Sequence, residues 1–197
     1  MENFILIEPS KEWIEQIAAY RKEFLEAKSS MDGTGNLSKM ENPYEWLEQV
    51  DNLKSGKELP PEWVISTQLI YVREKDKKLV GMIQIRHYFN SFLEKFGGNL
   101  GYSVLPSERK KGYATQMLQK TLPLCKKIGL DKILITCRSD NEGSRKVILA
   151  NGGIFESVVY DDKNNRTLER YWIDLKINNP DAERTLHSNR VLNPPHK

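Results

Sequence analysis

Residues 104–115 read VLPSERKKGYAT and join a predicted strand to a predicted helix. Pro106 stops the strand, the helix begins near Gly112, and three consecutive cations at 109–111 lie between them. A helix start exposes free backbone amides and partial positive charge. Glycine has no Cβ to keep a bulky anion away from these amides. The segment therefore predicts a cradle for a phosphate or a diphosphate, with a solvated basic turn as the alternative interpretation.

The sequence on either side of this loop predicts a βαβ unit. Residues 100–105 form a β-prone run, and apolar residues recur at helical spacing over 113–128. Residues 132–137 are almost continuously apolar, which is typical of a buried strand. A strand, a helix and a strand within about forty residues predict two parallel strands joined by a crossover helix.

The remaining elements complete one α/β domain with a mixed sheet, predicted over residues 1–175. Helix caps are predicted at Ser10, Asn42 and Asn141. Three helices are expected: one after Ser10, one after Asn42 that ends at Gly56, and one after Asn141 that ends at Ala150. A strand is expected at 4–7, a loop at 29–39, and hairpins at 67–88 and 154–175. Residues 176–197 are polar and contain three prolines, which predicts a frayed tail.

Composition excludes several classes of protein. The chain has 197 residues, 39% of them hydrophobic, and neither a long apolar run nor a signal-like amino terminus. Two cysteines, Cys125 and Cys137, are too few for a disulfide framework or a structural zinc site. The net charge of +3 is too mild to indicate nucleic-acid binding. We therefore expect a reduced cytoplasmic protein with an organic ligand, and no metal, membrane or nucleic-acid partner.

Several segments together resemble one known family. The motif Arg-x-x-Gly-x-Ala at 109–114, after Val-x-Pro at 104–106, resembles the coenzyme-A pyrophosphate motif of the GCN5-related N-acetyltransferases (GNAT). The helix Asn-x-x-Ser-x-Lys-Val at 141–147, followed by Asn-Gly-Gly at 151–153, is similar to that family's second cofactor segment. Ile-Arg-His at 85–87, together with Gly-Tyr-Ser-Val at 101–104, resembles a bacterial branch of the family.

The resemblance implies a single-domain fold with a mixed, mostly antiparallel sheet, in which a central parallel strand pair splays apart between flanking helices. It also implies acetyl-CoA as the cosubstrate, with the pantetheine arm along the first splayed strand and the diphosphate on the loop. The cofactor-binding residues it implies are Ser103, Val104, Leu105, Arg109, Lys110, Lys111, Gly112, Tyr113, Ala114, Thr115, Asn141, Ser144 and Lys146. For Asn141 a plain helix cap is an equal alternative, and for Lys146 an exposed helix cation is another.

Catalytic residues do not carry over from the family. Many members place a tyrosine where this chain has Ile148, and a glutamate or histidine where it has Gly98 and Asn99. The candidates left for proton transfer are His87, Glu94 and, for orienting a water, Asn99. A substrate amine that is deprotonated through ordered water needs no dedicated side chain, so acid and base stay open. No histidine accompanies either cysteine, which argues against an acyl-cysteine mechanism.

The resulting hypothesis is an acetyl-CoA-dependent N-acetyltransferase that acts on a primary amine of a small molecule or peptide, by direct attack in a ternary complex. The alternatives are a non-catalytic acyl-CoA-binding or sensing module, motivated by the missing tyrosine, and a nucleic-acid-associated protein that uses the basic loop. A monomer and a homodimer are both open. Acceptor selectivity is expected at 29–39 and 161–166, where acidic residues could attract a cationic amine. These residues are Asp32, Glu41, Asp161 and Asp162.

Overall fold

The computed structural model describes residues 2–176, so the predicted tail lies almost entirely outside the described residues. The strands are β1 (Phe4–Ile7), β2 (Ser66–Arg73), β3 (Lys78–Arg86), β4 (Leu100–Val104), β5 (Lys132–Arg138), β6 (Ile154–Asp161) and β7 (Arg166–Asp174). The helices are α1 (Ile14–Glu26), α2 (Pro43–Ser55), α3 (Tyr113–Lys127) and α4 (Glu142–Ala150). None of the described helices is long and apolar enough to cross a membrane.

The strands form two antiparallel sheets that meet at one point. The first sheet has the order β1-β2-β3-β4 and the second has the order β5-β7-β6. At the start of β4 the Asn99 amide donates to the Leu134 carbonyl at 2.7 Å, and the Leu134 amide donates to Asn99 Oδ1 at 2.8 Å. Beyond this contact the described residues form no ladder between β4 and β5. The predicted pair of strands is therefore joined at one end and open at the other.

The junction depends on a glycine. Gly98 has a φ of 64°, which only glycine adopts easily, and a Cβ at this position would lie 2.4 Å from the Leu134 carbonyl oxygen. Any larger residue would push the two sheets apart where they are joined.

The opening between β4 and β5 is called the gap from here on. The register of β4 decides which of its backbone groups face this gap. The Leu105 amide donates to the Val80 carbonyl at 2.9 Å, and Ser103 pairs with Met82. In antiparallel pairs, residues bonded to the partner strand alternate with residues that are not. The backbone groups of Ser103 and Leu105 therefore face β3, whereas those of Tyr102 and Val104 face the gap.

Helices cover both faces of the first sheet. One buried cluster packs α3 and α4 against β3, β4, β5 and β7, so this core spans both sheets. A second cluster packs α1 and α2 against the other face of the first sheet. Cys125 and Cys137 are free and buried in the first cluster. Trp46 is fully buried in the second cluster.

Local predictions have mixed outcomes. Asn42 caps α2 as predicted, because its Oδ1 accepts from the Tyr44 amide at 3.0 Å. The Ser10 prediction is wrong: its side chain makes no cap bond, and a 3₁₀ turn at Lys11–Trp13 precedes α1. A π-helical turn at Leu93–Gly97 was not predicted, although Phe89, Phe92, Leu93 and Phe96 recur at helical spacing.

Candidate functional site

The loop between β4 and α3 exposes a run of free backbone amides. Lys110 and Gly112 have positive φ values of 61° and 80°, and Lys111 between them does not. Such alternation turns successive amides toward one side. No acceptor within residues 2–176 bonds the amides of 110–115, and the first helical bond of α3 comes from Gln116 to the Gly112 carbonyl. Gly112 provides no side-chain cap.

The space beside these amides is open. A Cβ built on Gly112 would have a single neighbour within 4 Å, the Gln116 Nε2 at 4.0 Å. Glycine is therefore not needed there for internal packing, and its small size leaves room for a group from outside the chain. With the positive end of the α3 dipole behind it, the loop fits a phosphate or diphosphate.

A buried carboxylate, that of Glu108, stabilises the loop between β4 and α3. Glu108 is 4% exposed, and it accepts hydrogen bonds from Arg73, Lys78 and Lys111 at 2.7–2.9 Å. Burial alone would raise the pKa of Glu108, but the hydrogen bonds from Arg73, Lys111 and Lys78 outweigh it and lower this pKa to about 2. Sequence reasoning missed Glu108, because two of its three cations come from the β2–β3 hairpin.

Two of the three loop cations bond groups of the chain itself. The Arg109 guanidinium bonds the Val104 carbonyl at 3.2 Å and Ser29 Oγ at 2.8 Å, and it lies over the Phe24 ring. Arg109 therefore links the end of β4 to the loop after α1 through hydrogen bonds and does not face the cradle. Lys111 is paired with Glu108. Both side chains are thus held by contacts within the chain, and only Lys111 is paired with a carboxylate.

The gap beside β4 leads directly into the amide run. Tyr102 and Val104 present their backbone to it, but the Val104 carbonyl is already bonded to Arg109. The free groups are therefore the Tyr102 amide and carbonyl and the Val104 amide. This corrects the expectation that Ser103 and Leu105 offer backbone groups here, because their backbone is paired with β3. The correction follows from register, which the resemblance alone did not define.

At the start of α4 the side chains bond groups of the protein itself. Asn141 Oδ1 accepts from the Ser144 amide at 3.0 Å, so Asn141 is a helix cap. Ser144 Oγ lies 2.9 Å from the Tyr102 hydroxyl. Lys146 is exposed and lies 3.9 Å from Glu142, as a surface helix pair does. Arg145 bonds Glu169 and the Ser139 carbonyl, which leaves it no outward role.

Tyr102 joins the two sides of the cleft. Its side chain reaches from β4 to the first turn of α4. Burial raises the pKa of Tyr102, and the hydrogen bond with Ser144 only partly counteracts this. The phenol therefore stays protonated at neutral pH. Sequence reasoning had treated Tyr102 only as part of a strand motif.

The structure gives His87 and Asn99 structural partners. His87 Nε2 lies 2.8 Å from Thr67 Oγ1 on β2, which is separated from β4 by β3. Burial lowers the pKa of His87. Asn99 is 2% exposed, and its amide group bonds the Leu134 amide and the Arg86 carbonyl. It therefore holds the sheet junction and is not placed to orient a substrate water. Glu94 is exposed on the π-helical turn.

Arg86 extends from the end of β3 toward the start of β4. Its Nη1 donates to the carbonyls of Gly97 and Gly98 at 3.1 and 3.3 Å. Burial lowers the pKa of Arg86 to about 10, while the nearby Asp32 carboxylate opposes this shift. The guanidinium is therefore still charged at neutral pH. No described group of histidine, cysteine, aspartate and glutamate side chains is arranged to hold a metal ion.

Comparison with solved structures shows that this is the fold of known acetyltransferases. A ribosomal-protein-S5-alanine acetyltransferase from Vibrio fischeri superimposes with a TM-score of 0.68 at 16% identity, over 91% of this chain and 97% of that one. RimJ from Mycobacterium smegmatis, in complex with CoA-disulfide, gives 0.68 at 18% identity, over 95% and 90%. A chimera of the Vibrio cholerae spermidine N-acetyltransferase SpeG with hSSAT gives 0.57 at 14%, over 88% and 96%.

The sequence itself defines the family. The profile described as acetyltransferase (GNAT) domain matches residues 6–154, and the chain belongs to this family. No curated protein sequence matches the chain. Family membership makes the protein an acetyl-CoA-dependent N-acetyltransferase, and acetyl-CoA is its cosubstrate. The resemblance found in the sequence is thereby confirmed.

Proposed function

We propose that the chain transfers the acetyl group of acetyl-CoA to a primary amine of a small molecule or peptide, by direct attack within a ternary complex. The observation that carries this proposal is the continuous path from the free backbone of β4 to the free amides of 110–115. Two free, buried cysteines are consistent with a reducing compartment such as the cytoplasm.

In this proposal the loop holds the diphosphate of the cosubstrate. The amides of 110–115 point at one anion, and the space beside Gly112 receives it. The Tyr102 amide and carbonyl and the Val104 amide bind the pantetheine arm in place of the ladder that β5 does not supply. Arg109 and Lys111 contribute by fixing the shape of the loop, and Asn141 by starting α4.

Acetyl-CoA supplies an acyl carbonyl and a thiolate leaving group with a pKa near 8.5. The gap aligns the acyl group with an amine that approaches from the side of the 29–39 loop, and this alignment lowers the barrier by proximity. An alkylammonium has a pKa near 10.4, so a proton must leave the acceptor before attack. Since His87 and Asn99 are engaged elsewhere, we assign this step to ordered water.

We assign protonation of the leaving thiolate to Tyr102. Its phenol is neutral at physiological pH and reaches from β4 to the first turn of α4. Tyr102→Phe should lower kcat at least tenfold while the affinity for acetyl-CoA changes less than threefold. Steady-state thiol release measures kcat, and Ser144→Ala is the control because it keeps the phenol. A full kcat in Tyr102→Phe would contradict this role.

The assay for the proposed function combines binding and turnover. Calorimetry with coenzyme A tests the cradle, and thiol release from acetyl-CoA with a panel of primary amines tests the transfer. We expect binding, amine-dependent thiol release, and a saturation pattern of a ternary complex with intersecting double-reciprocal lines. Parallel lines would indicate a covalent acyl-enzyme and would contradict direct attack. Binding without release for any amine would contradict the proposed acceptor class.

A further inference from the structure

The 29–39 loop lies directly on β4. Gly33 and Gly101 are in contact, because a Cβ on Gly33 would fall 2.0 Å from the Gly101 carbonyl oxygen. Ser103 Oγ donates to the Asp32 carbonyl at 2.7 Å, and the Trp46 indole donates to the Thr34 carbonyl at 2.7 Å. The backbone of Asp32 is therefore fixed against the strand that borders the gap.

The four acidic residues suggested by the sequence are no longer equivalent. Asp161 is 1% exposed, and its carboxylate accepts from Asn164 and Arg166 inside the β6–β7 turn. Glu41 is exposed just before α2, and Asp162 is exposed in the 3₁₀ turn between β6 and β7. Asp32 is also exposed, but its carboxylate, bonded to Ser30 Oγ, is attached to the fixed segment on β4. Of the four, Asp32 is the one beside the gap.

The Arg86 guanidinium lies where the 29–39 loop contacts β4. A Cβ built on Gly101 would lie 3.0 Å from the Gly33 amide nitrogen and 3.2 Å from Arg86 Nη2, so both groups border Gly101. Arg86 Nε and Nη2 have no acceptor among residues 2–176. The Asp32 carboxylate acts on Arg86. It also contributes to the raised pKa of Tyr102 on β4, which burial mainly raises, and of Arg138 on β5, which the hydrogen bond to Asp140 mainly raises.

We propose that Asp32 and Arg86 are the acceptor-recognition pair: Asp32 binds the ammonium of the acceptor, and Arg86 donates to an oxygen atom next to it. The acceptor is then an α-amine beside a carbonyl or carboxyl group, as in a peptide or amino acid, and not a polyamine. This inference rests on the proposed function and adds the substrate class to it.

The chemistry follows from the two charges. An ammonium next to a carbonyl oxygen matches a carboxylate next to a guanidinium, and both contacts are charge-assisted hydrogen bonds. A polyamine would place a second ammonium near Arg86, and like charges in a partly buried site repel. The solved relatives include acetyltransferases named for an alanine of a ribosomal protein and for spermidine, so the comparison by itself does not choose between these classes.

The test uses trialanine, butylamine and spermidine as acceptors for the full chain. We expect the highest kcat/KM with trialanine and the lowest with spermidine. Asp32→Asn should raise the KM for trialanine about tenfold, with kcat changed less than threefold and the KM for acetyl-CoA unchanged. Asp51→Asn is the matched control, because it removes an equally exposed charge from α2. Arg86→Gln should narrow the preference for trialanine over spermidine at least fivefold.

Equal KM values in Asp32→Asn and Asp51→Asn would overturn the pair, as would a wild-type preference for spermidine. If acetyl-CoA binds and other amines are acetylated but trialanine is not, the pair is wrong and the proposed function stands. If acetyl-CoA does not bind, the cradle fails and the pair fails with it. Coenzyme-A affinity serves as the folding check for Arg86→Gln, since its Nη1 holds two backbone carbonyls.

Discussion

The amino termini of α3 and α4 differ in how their first backbone amides are satisfied. Both follow a strand and were assigned to the cosubstrate by the same resemblance. At α4 the side chain of Asn141 bonds the Ser144 amide, whereas at α3 the cap position is Gly112, which offers no side chain. A capped helix start satisfies its own amides, and an uncapped start beside open space leaves them for a ligand. The identity of the cap residue therefore separates a structural helix start from a binding one.

The largest expected effect comes from filling the open helix start. Gly112→Glu should lower the affinity for coenzyme A at least a hundredfold, because it adds bulk and negative charge where the diphosphate binds. Gly129→Glu is the matched control, since Gly129 also has a positive φ and open space around it, but at the other end of α3. Calorimetry measures the affinity. Equal coenzyme-A affinity in the two folded variants would refute the cradle.

The next largest effect is on stability, and it concerns the Glu108 ion-pair cluster next to the start of α3. Glu108→Gln should cost about 2–3 kcal/mol of unfolding free energy, because it leaves Arg73, Lys78 and Lys111 without their buried partner. Asp140→Asn, which breaks the exposed pair with Arg138, should cost much less unfolding free energy than Glu108→Gln. Urea unfolding at pH 7 measures both, and equal losses would mean that burial adds nothing to the Glu108 cluster.

Acid unfolding gives the same cluster a pH signature. The pKa of Glu108 is about 2 in the folded protein against an ordinary value of 4.5. A lowered folded pKa means that this stabilisation is fully present above about pH 4.5 and is lost as the pH falls toward 2. Glu108→Gln should therefore show a shallower loss of stability over that interval than the wild type. Identical slopes would indicate that Glu108 ionises normally.

At the closed helix start we expect a change in stability without a change in binding. Asn141→Ala removes the cap and should cost about 1 kcal/mol of unfolding free energy, while Asn141→Ser should restore most of it. The affinity for coenzyme A should change less than threefold in both variants. A tenfold loss of affinity that Asn141→Ser does not rescue would make Asn141 a ligand contact and erase the contrast between the two helices.

The smallest effect is expected at His87. Its ring bonds Thr67 on β2, away from the gap, so His87→Ala should leave the pH profile of kcat/KM within twofold of the wild type. Thiol release between pH 6 and 9 measures this. A lost acidic limb in the variant profile would restore His87 as the base.

Local chemistry explains which features the sequence could predict. The α3 start, the Asn42 cap and the buried face of Trp46 depend on residues within one or two turns of each other, and all three are observed. The fate of Arg109 depends on Ser29, eighty residues earlier, and no local pattern contains that contact. Likewise, the backbone groups that face the gap follow from the β3–β4 register, which one sequence does not define. The contact between Gly33 and Gly101 had only two glycines as its signal.

Hydrogen bonds join the two sheets of this protein beside Gly98. Past Leu134 the described strands β4 and β5 share no ladder. If coenzyme A binds as proposed, it acts as a substitute strand in that opening, since it bonds the backbone of β4 while its phosphates bind the start of α3. Occupancy of the site and rigidity of the central sheet then become one property. Slower amide exchange in β4 and β5 when coenzyme A is added would be its direct signature.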